Sequence, residues 1–214
     1  MDSRKRILVI SSKRPFPVQD GASIRTSQMI RMLSQIFEVD LVYTCNPYKT
    51  FADLTELRCF CRQISEFLEP KWKCVLRALL GFFKSRPLQC SYFYSPRMMS
   101  YIQEHLSLYD YVFCNNIRTV PYVDGSKCNK IIDYVDAISM NYIGASLKAN
   151  WIWRLVYKFE ANRLISYENK VLKSFDKFII ISDVDRQFIL RHADLEISNK
   201  HIAVSYTHLT LPTT

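Results

Sequence analysis

The four apolar residues Ile7-Leu8-Val9-Ile10 stand between Arg4-Lys5-Arg6 and Ser11-Ser12. A short β-rich run closed off by polar residues predicts a buried first strand over Arg6–Ser11. Pro15 and Pro17 make residues 12–21 a loop. Ser23 then offers an N-cap for a helix, and Ile30, Leu33 and Phe37 follow the spacing of one buried face. A second apolar run predicts a strand over residues 39–44. Further strands are expected at 111–114, 130–132 and 177–181. Helices are expected over 51–68, 73–84, 96–106, 151–172 and 183–192. The opening strand, loop, helix, strand order begins a doubly wound parallel sheet, so the fold class is α/β and Rossmann-like.

Composition sharpens this picture. The chain has 214 residues, 49% of them hydrophobic and only four of them glycine. It is long enough to bury a self-supporting core as one domain. The seven cysteines are odd in number, and Cys59-Phe60-Cys61 lacks the two-residue gap of zinc and redox pairs. Reduced thiols in a cytoplasmic protein are the expectation. The first apolar run is too short for a secretory core segment. Residues 204–213, Val-Ser-Tyr-Thr-His-Leu-Thr-Leu-Pro-Thr, read as one frame of a transposase adapter used in sequencing libraries. The domain is therefore expected over residues 1–203, with 204–214 added to it.

The formal charge of +9 is unevenly placed, with no Asp or Glu between Pro70 and Gln103 but Lys71, Lys73, Arg77, Lys84, Arg86 and Arg97 there. A basic surface of this kind meets phosphates of nucleic acid, lipid or substrate. On a helix over 73–84, Lys73, Arg77 and Lys84 share one face, with Val75, Leu79 and Phe82 or Phe83 opposite and Trp72 alongside. Such a helix suits an anionic membrane surface; a core-facing helix with a solvated basic edge is the alternative. No helix-turn-helix, zinc finger or RNA-binding signature accompanies the charge, so no nucleic acid is expected. A basic nucleic-acid- or ligand-binding module, or a flavodoxin-like sensor domain, remains the non-catalytic reading.

The segment Asp20-Gly21-Ala22-Ser23-Ile24-Arg25 carries the clearest chemistry. Glycine at a helix start lets backbone approach a ligand closely, and the helix amino end presents free N–H groups to an anion. Arg25 adds a forked cationic donor. A single glycine is not the dinucleotide fingerprint, and an ordinary turn beside a surface arginine is the plainer reading. Asp133 and Asp136 follow a strand, where α/β sheets place ligands. Ser182 is most simply an N-cap, with a place in a cleft open to it. Glu160 and Arg163 form an i, i+3 pair.

Taken together, Asp20 to Arg25, Met32-Leu33-Ser34, Val39 to Val42, Ile131 to Ser139, Tyr157 to Glu168, Phe175-Asp176 and Ile181 to Asp185 resemble, in order, family-four glycosyltransferases. The sugar transferases associated with PEP-CTERM and exopolysaccharide clusters are the most similar. The resemblance covers nearly all of residues 5–192. It implies the N-terminal half of a GT-B enzyme, two Rossmann-like domains around a cleft, whose missing C-terminal domain holds the nucleotide-sugar. It further implies a retaining transfer to a saccharide or lipid-linked acceptor in surface or exopolysaccharide synthesis. Gly21 then faces the donor diphosphate. Arg25, Asp133 and Ser182 serve the acceptor or an anion, and Asp136 is the candidate catalytic group. Related enzymes carry a histidine near that position, where this chain has none. Neither a metal nor another cofactor is expected. Without its second half the chain is expected to be inactive, in the cytoplasm or peripheral at the inner face of the membrane.

Overall fold

The structure is a computed structural model describing residues 4–18, 20–47, 54–82, 86–194 and 201–205. The element order is β1 (Arg6–Ser11), α1 (Gly21–Ser34), β2 (Glu38–Cys45), α2 (Thr55–Arg58), β3 (Gln63–Leu68), α3 (Lys71–Gly81), α4 (Leu88–Tyr92) and α5 (Pro96–His105). There follow β4 (Tyr111–Asn115), β5 (Asn129–Asp133), α6 (Ile138–Lys148), α7 (Trp151–Ser174), β6 (Lys177–Ile180), α8 (Asp183–Arg191) and β7 (Ile202–Val204). Every described strand pairing is parallel, in the order β3-β2-β1-β4-β5-β6-β7. The order reverses at β1, and the carboxyl ends of β1 and β4 flank the switch point where such sheets take ligands.

β1 shows why the first apolar run carries no polar positions. Ile7 and Val9 enter one core with Met29, Ile30, Val39, Leu41 and Leu57. Leu8 and Ile10 enter the other, with Met98, Ile102, Leu164, Val171 and Leu172. A strand covered on both faces must be apolar throughout. All seven cysteines are free thiols. Burial pushes those of Cys90 and Cys114 up to about 12, so they behave as small core side chains.

The structure corrects one expected element. Residues 51–68 are not one helix: Thr55–Arg58 forms a single turn, and Gln63–Leu68 is β3, the sheet edge, paired with β2 from Asp40↔Gln63 to Cys45↔Leu68. Arg62 fixes the start of that pairing by donating to the Asp40 carboxylate. The expected helix start at 51–53 lies outside the described residues. Ser23 is also not the N-cap of α1. Asp20 is, accepting from the Ser23 amide at 2.8 Å, while the Ser23 hydroxyl accepts from the Asp20 amide at 3.0 Å. This is a reciprocal capping box. At the far edge β7 includes Val204; residues 206–214 lie outside the described residues.

α6 and α7 pack along each other as a hairpin, joined by only Ala149 and Asn150. With 24 residues, α7 is roughly 36 Å long, whereas a six-residue strand spans about 20 Å. Its carboxyl-terminal half supplies Leu164, Tyr167, Val171 and Leu172 to the core. Its first turns project beyond the carboxyl edge of the sheet.

Candidate functional site

Three strand ends meet the amino end of α1. After β1 the chain gives Ser11 and Ser12, after β4 Asn115 and Asn116, and after β5 Asp133 to Asp136. Asn115 Nδ2 donates to Thr26 Oγ1 at 2.7 Å, and Asn116 donates its amide to the Asp133 carbonyl at 2.8 Å. Asn116 has φ 67° and Val135 φ 66°. Asparagine visits this left-handed region readily; a β-branched valine does so only under strain.

Gly21 is exposed at the first position of α1, and a methyl group built on it meets no atom within 4 Å. The amides of Gly21 and Ala22 make no hydrogen bond among the described residues. Beside them, Lys13 Nζ reaches the Asp20 carboxylate at 2.5 Å, and this contact, ahead of the capping bonds, lowers the Asp20 pKa to about 2. The helix entrance thus offers open backbone donors next to a carboxylate whose charge a lysine offsets.

Arg25 is not on the surface. It is 2% exposed and Asp133 0%, and the two form a fork: Nε to Oδ2 at 2.6 Å and Nη2 to Oδ1 at 3.0 Å. A third donor, Nη1, reaches the Ser205 carbonyl at 3.1 Å. Burial pushes the Asp133 carboxyl upward, opposed by Arg25 and by the Val135 amide. Two of the three residues expected to meet acceptor or anion, Arg25 and Asp133, are therefore turned on each other, because a desolvated charge needs its partner close. Their role is to tie α1 to the end of β5 and aim the loop that follows.

That loop carries Asp136, half-buried, its Oδ2 accepting from Asn141 Nδ2 at 2.5 Å. Burial raises its pKa, against the Asn141 bond and the Arg118 charge. Ser182 is the N-cap of α8, its hydroxyl accepting from the Val184 amide at 3.1 Å. Two carboxylates that the sequence did not mark as site residues complete the edge. Glu168 takes both the amide (3.3 Å) and hydroxyl (2.6 Å) of Ser139, and Asp185 takes the Ala137 amide at 3.1 Å. Together they cap α6, which has no side-chain cap of its own. Glu168 is pushed up to about 7, first by burial, then by the Asp136 and Asp185 charges. Among the described residues, no grouping of His, Cys, Asp and Glu is suited to hold a metal ion.

The basic helix lies apart from this edge. Cys74 and Gly81 are its buried residues, while Trp72, Val75, Leu76, Leu79 and Leu80 are exposed. The apolar side therefore faces outward, not into the core. Arg77, expected on the basic surface, folds back onto Glu69 at 2.7 Å. It lines a cavity of about 620 Å³ together with Arg86, Ser91 and Tyr94. Lys73 stays exposed, its ammonium 5.4 Å from the Trp72 ring centre. Lys84 lies outside the described residues. Among the described residues no helix is long and apolar enough to cross a membrane.

No known family profile matches the chain, and no curated protein matches it. Solved structures do. Phytolacca americana UGT2, a glycosyltransferase in complex with UDP-2fluoro-glucose and pterostilbene, aligns with 95% of this chain at a TM-score of 0.52 and 10% identity. The fold is shared with a GT-B glycosyltransferase. The chain spans about half, 54%, of that neighbour's length. An NADH-dependent reductase complexed with NAD aligns over 83% of the chain and 77% of its own, at a TM-score of 0.39 and 15% identity.

Within this α/β fold, one sheet edge gathers Gly21, Asp133, Asp136 and Ser182, with Arg25 beneath it. Trp72, Lys73 and Arg77 belong to a different face. The pairings of Glu168 and Arg118 were not legible because each partner lies 29 residues away: Glu168 with Ser139, Arg118 Nε with Gln89 at 2.7 Å. The Asn115-Asn116 pair closing an apolar run was the one readable signal for the polar floor of the edge.

Proposed function

We propose that the chain is the acceptor-side half of a retaining glycosyltransferase. It passes a sugar from a nucleotide-sugar to a saccharide or lipid-linked acceptor, in surface or exopolysaccharide synthesis. The observation that carries this reading is Gly21: an exposed glycine at a helix amino end, with backbone donors beside it that have no partner among the described residues, at the carboxyl edge of a parallel Rossmann-like sheet. Those donors suit the diphosphate of a departing nucleotide, where charge grows as the glycosidic bond breaks. The donor half would close over this edge. Asp136, aimed by the strained Val135 turn and held by Asn141, is the acceptor-side carboxylate, accepting a hydrogen bond or the proton of the attacking hydroxyl.

Gly21 has no positive φ and its surroundings are open, so the fold tolerates Gly21→Ala. The test joins residues 1–203 to the rest of the native reading frame and measures sugar transfer from a nucleotide-sugar. Gly21→Ala keeps the melting temperature and cuts turnover by roughly tenfold or more, the loss expected when one stabilising donor contact is displaced. Unaltered turnover in that variant, or a full-length protein inert toward every nucleotide-sugar, contradicts the proposal.

A further inference from the structure

The two longest segments of the chain without an acidic residue are 70–103 and 137–159, and their described parts meet in the fold. Their nine Lys and Arg equal the whole formal charge of +9, leaving the other 20 basic residues to balance 20 acidic ones. The contact between them is direct: Phe82 at the end of α3 meets Phe159 of α7 at 5.3 Å between ring centres. Arg163 donates to the Gly81 carbonyl at 3.0 Å, and Gln89 to the Tyr142 hydroxyl at 2.9 Å.

Exposed apolar side chains stand on both helices that meet here. They are Val75, Leu76, Leu79 and Leu80 on α3, and Ile152 and Leu155 on the first turns of α7. All three tryptophans of the chain are exposed on these two helices, Trp72 at 63% on α3, Trp151 at 74% and Trp153 at 55% on α7. Scattered exposed apolar residues are ordinary, whereas a contiguous set rimmed by polar groups marks an interaction site. Here the rim is cationic, with Lys71, Lys73, Lys148, Arg154 and Lys158 exposed and acidic residues missing from both segments. A protein partner would need a large apolar patch ringed with carboxylates. Nucleic acid would leave the aliphatic side chains in water. An anionic bilayer meets all three features at once, since tryptophan favours the interface, aliphatic side chains the acyl boundary, and lysine and arginine the headgroups.

We propose that this edge, the outer side of α3 with the projecting tip of the α6–α7 hairpin, docks the protein on an anionic phospholipid bilayer. The sequence pointed to the basic side of α3 alone. The fold adds the hairpin tip and makes the apolar side of α3 the contacting one. This docking stands independently of any transferase activity.

The tryptophans report on the edge without a label. With vesicles of phosphatidylcholine plus phosphatidylglycerol, emission of the full chain shifts to the blue, brominated lipids quench it, and the protein sediments with the vesicles. Phosphatidylcholine alone gives far weaker binding. Trp151→Ser with Trp153→Ser weakens vesicle partition, with a far-ultraviolet dichroism spectrum like that of the parent. Lys148→Glu with Arg154→Glu weakens it at least about tenfold, each lost cation contributing at the surface. Ile36→Ser, an exposed apolar residue in the turn between α1 and β2, leaves binding unchanged. No shift with anionic vesicles overturns the proposal. So does an equal response to neutral vesicles, or a shift that follows protein concentration without lipid. Tight DNA binding by the same cations in a protein that ignores vesicles overturns it as well.

Discussion

Arg25 and Asp133 lie 108 positions apart, yet each has its charge answered by the other with almost no water present. Such a pair contributes little over an apolar pair of the same shape, but removing one member strands a buried charge. Arg25→Ala is expected to destabilise the protein by about 3–5 kcal/mol, measured by urea unfolding. The double change Arg25→Met, Asp133→Asn should recover most of that loss. A similar logic raises the Glu160–Arg163 pair above an ordinary surface contact. The two are 3.3 Å apart, and Glu160, fully buried, also accepts from the Leu88 amide. The sequence names the Glu160–Arg163 pair from its local i, i+3 spacing but not its burial, and it does not pair Arg25 with Asp133, because burial and long-range contacts are decided by the whole fold.

Elements were legible where the signal was local. The bounds of β1 follow from polar residues on both sides of one apolar run, and α5 and α8 begin at serines whose hydroxyls cap them. β3 was illegible: Gln63-Ile64-Ser65-Glu66-Phe67-Leu68 sits among residues that also suit a helix, and only β2 decides between them. α6 was missed for a related reason. No residue at its own start caps it, and Glu168 and Asp185 do so from elsewhere. That arrangement has a pH signature. An unfolded glutamate titrates near 4.5, and Glu168 in the fold near 7. Between these values the folded state holds the extra proton, so stability declines as pH rises through the window and stays lower above it. Thermal melts from pH 4 to 8 should show this decline, and Glu168→Gln, whose amide oxygen can still take the Ser139 N–H, should flatten it. A variant that keeps the wild-type slope would assign it to another group.

Across the molecule, the sheet and its two apolar clusters form one packed body from which the tip of the α6–α7 hairpin projects. Every residue from Trp151 to Leu155 is exposed, while Leu164, Val171 and Leu172 are enclosed by the sheet. Hydrogen exchange should therefore finish within the first turns of α7 long before it begins in residues 164–172 or in β1. Equal protection along the helix would mean that something covers its tip.

The distribution of charge adds a mechanical consequence. A body with Lys71, Lys73, Lys148, Arg154 and Lys158 exposed on one flank carries a dipole component toward that flank, and a negatively charged plane exerts a torque on it before any contact forms. The protein would be turned while still diffusing and would arrive with its tryptophans foremost. Raising ionic strength should slow this arrival more than it hastens departure.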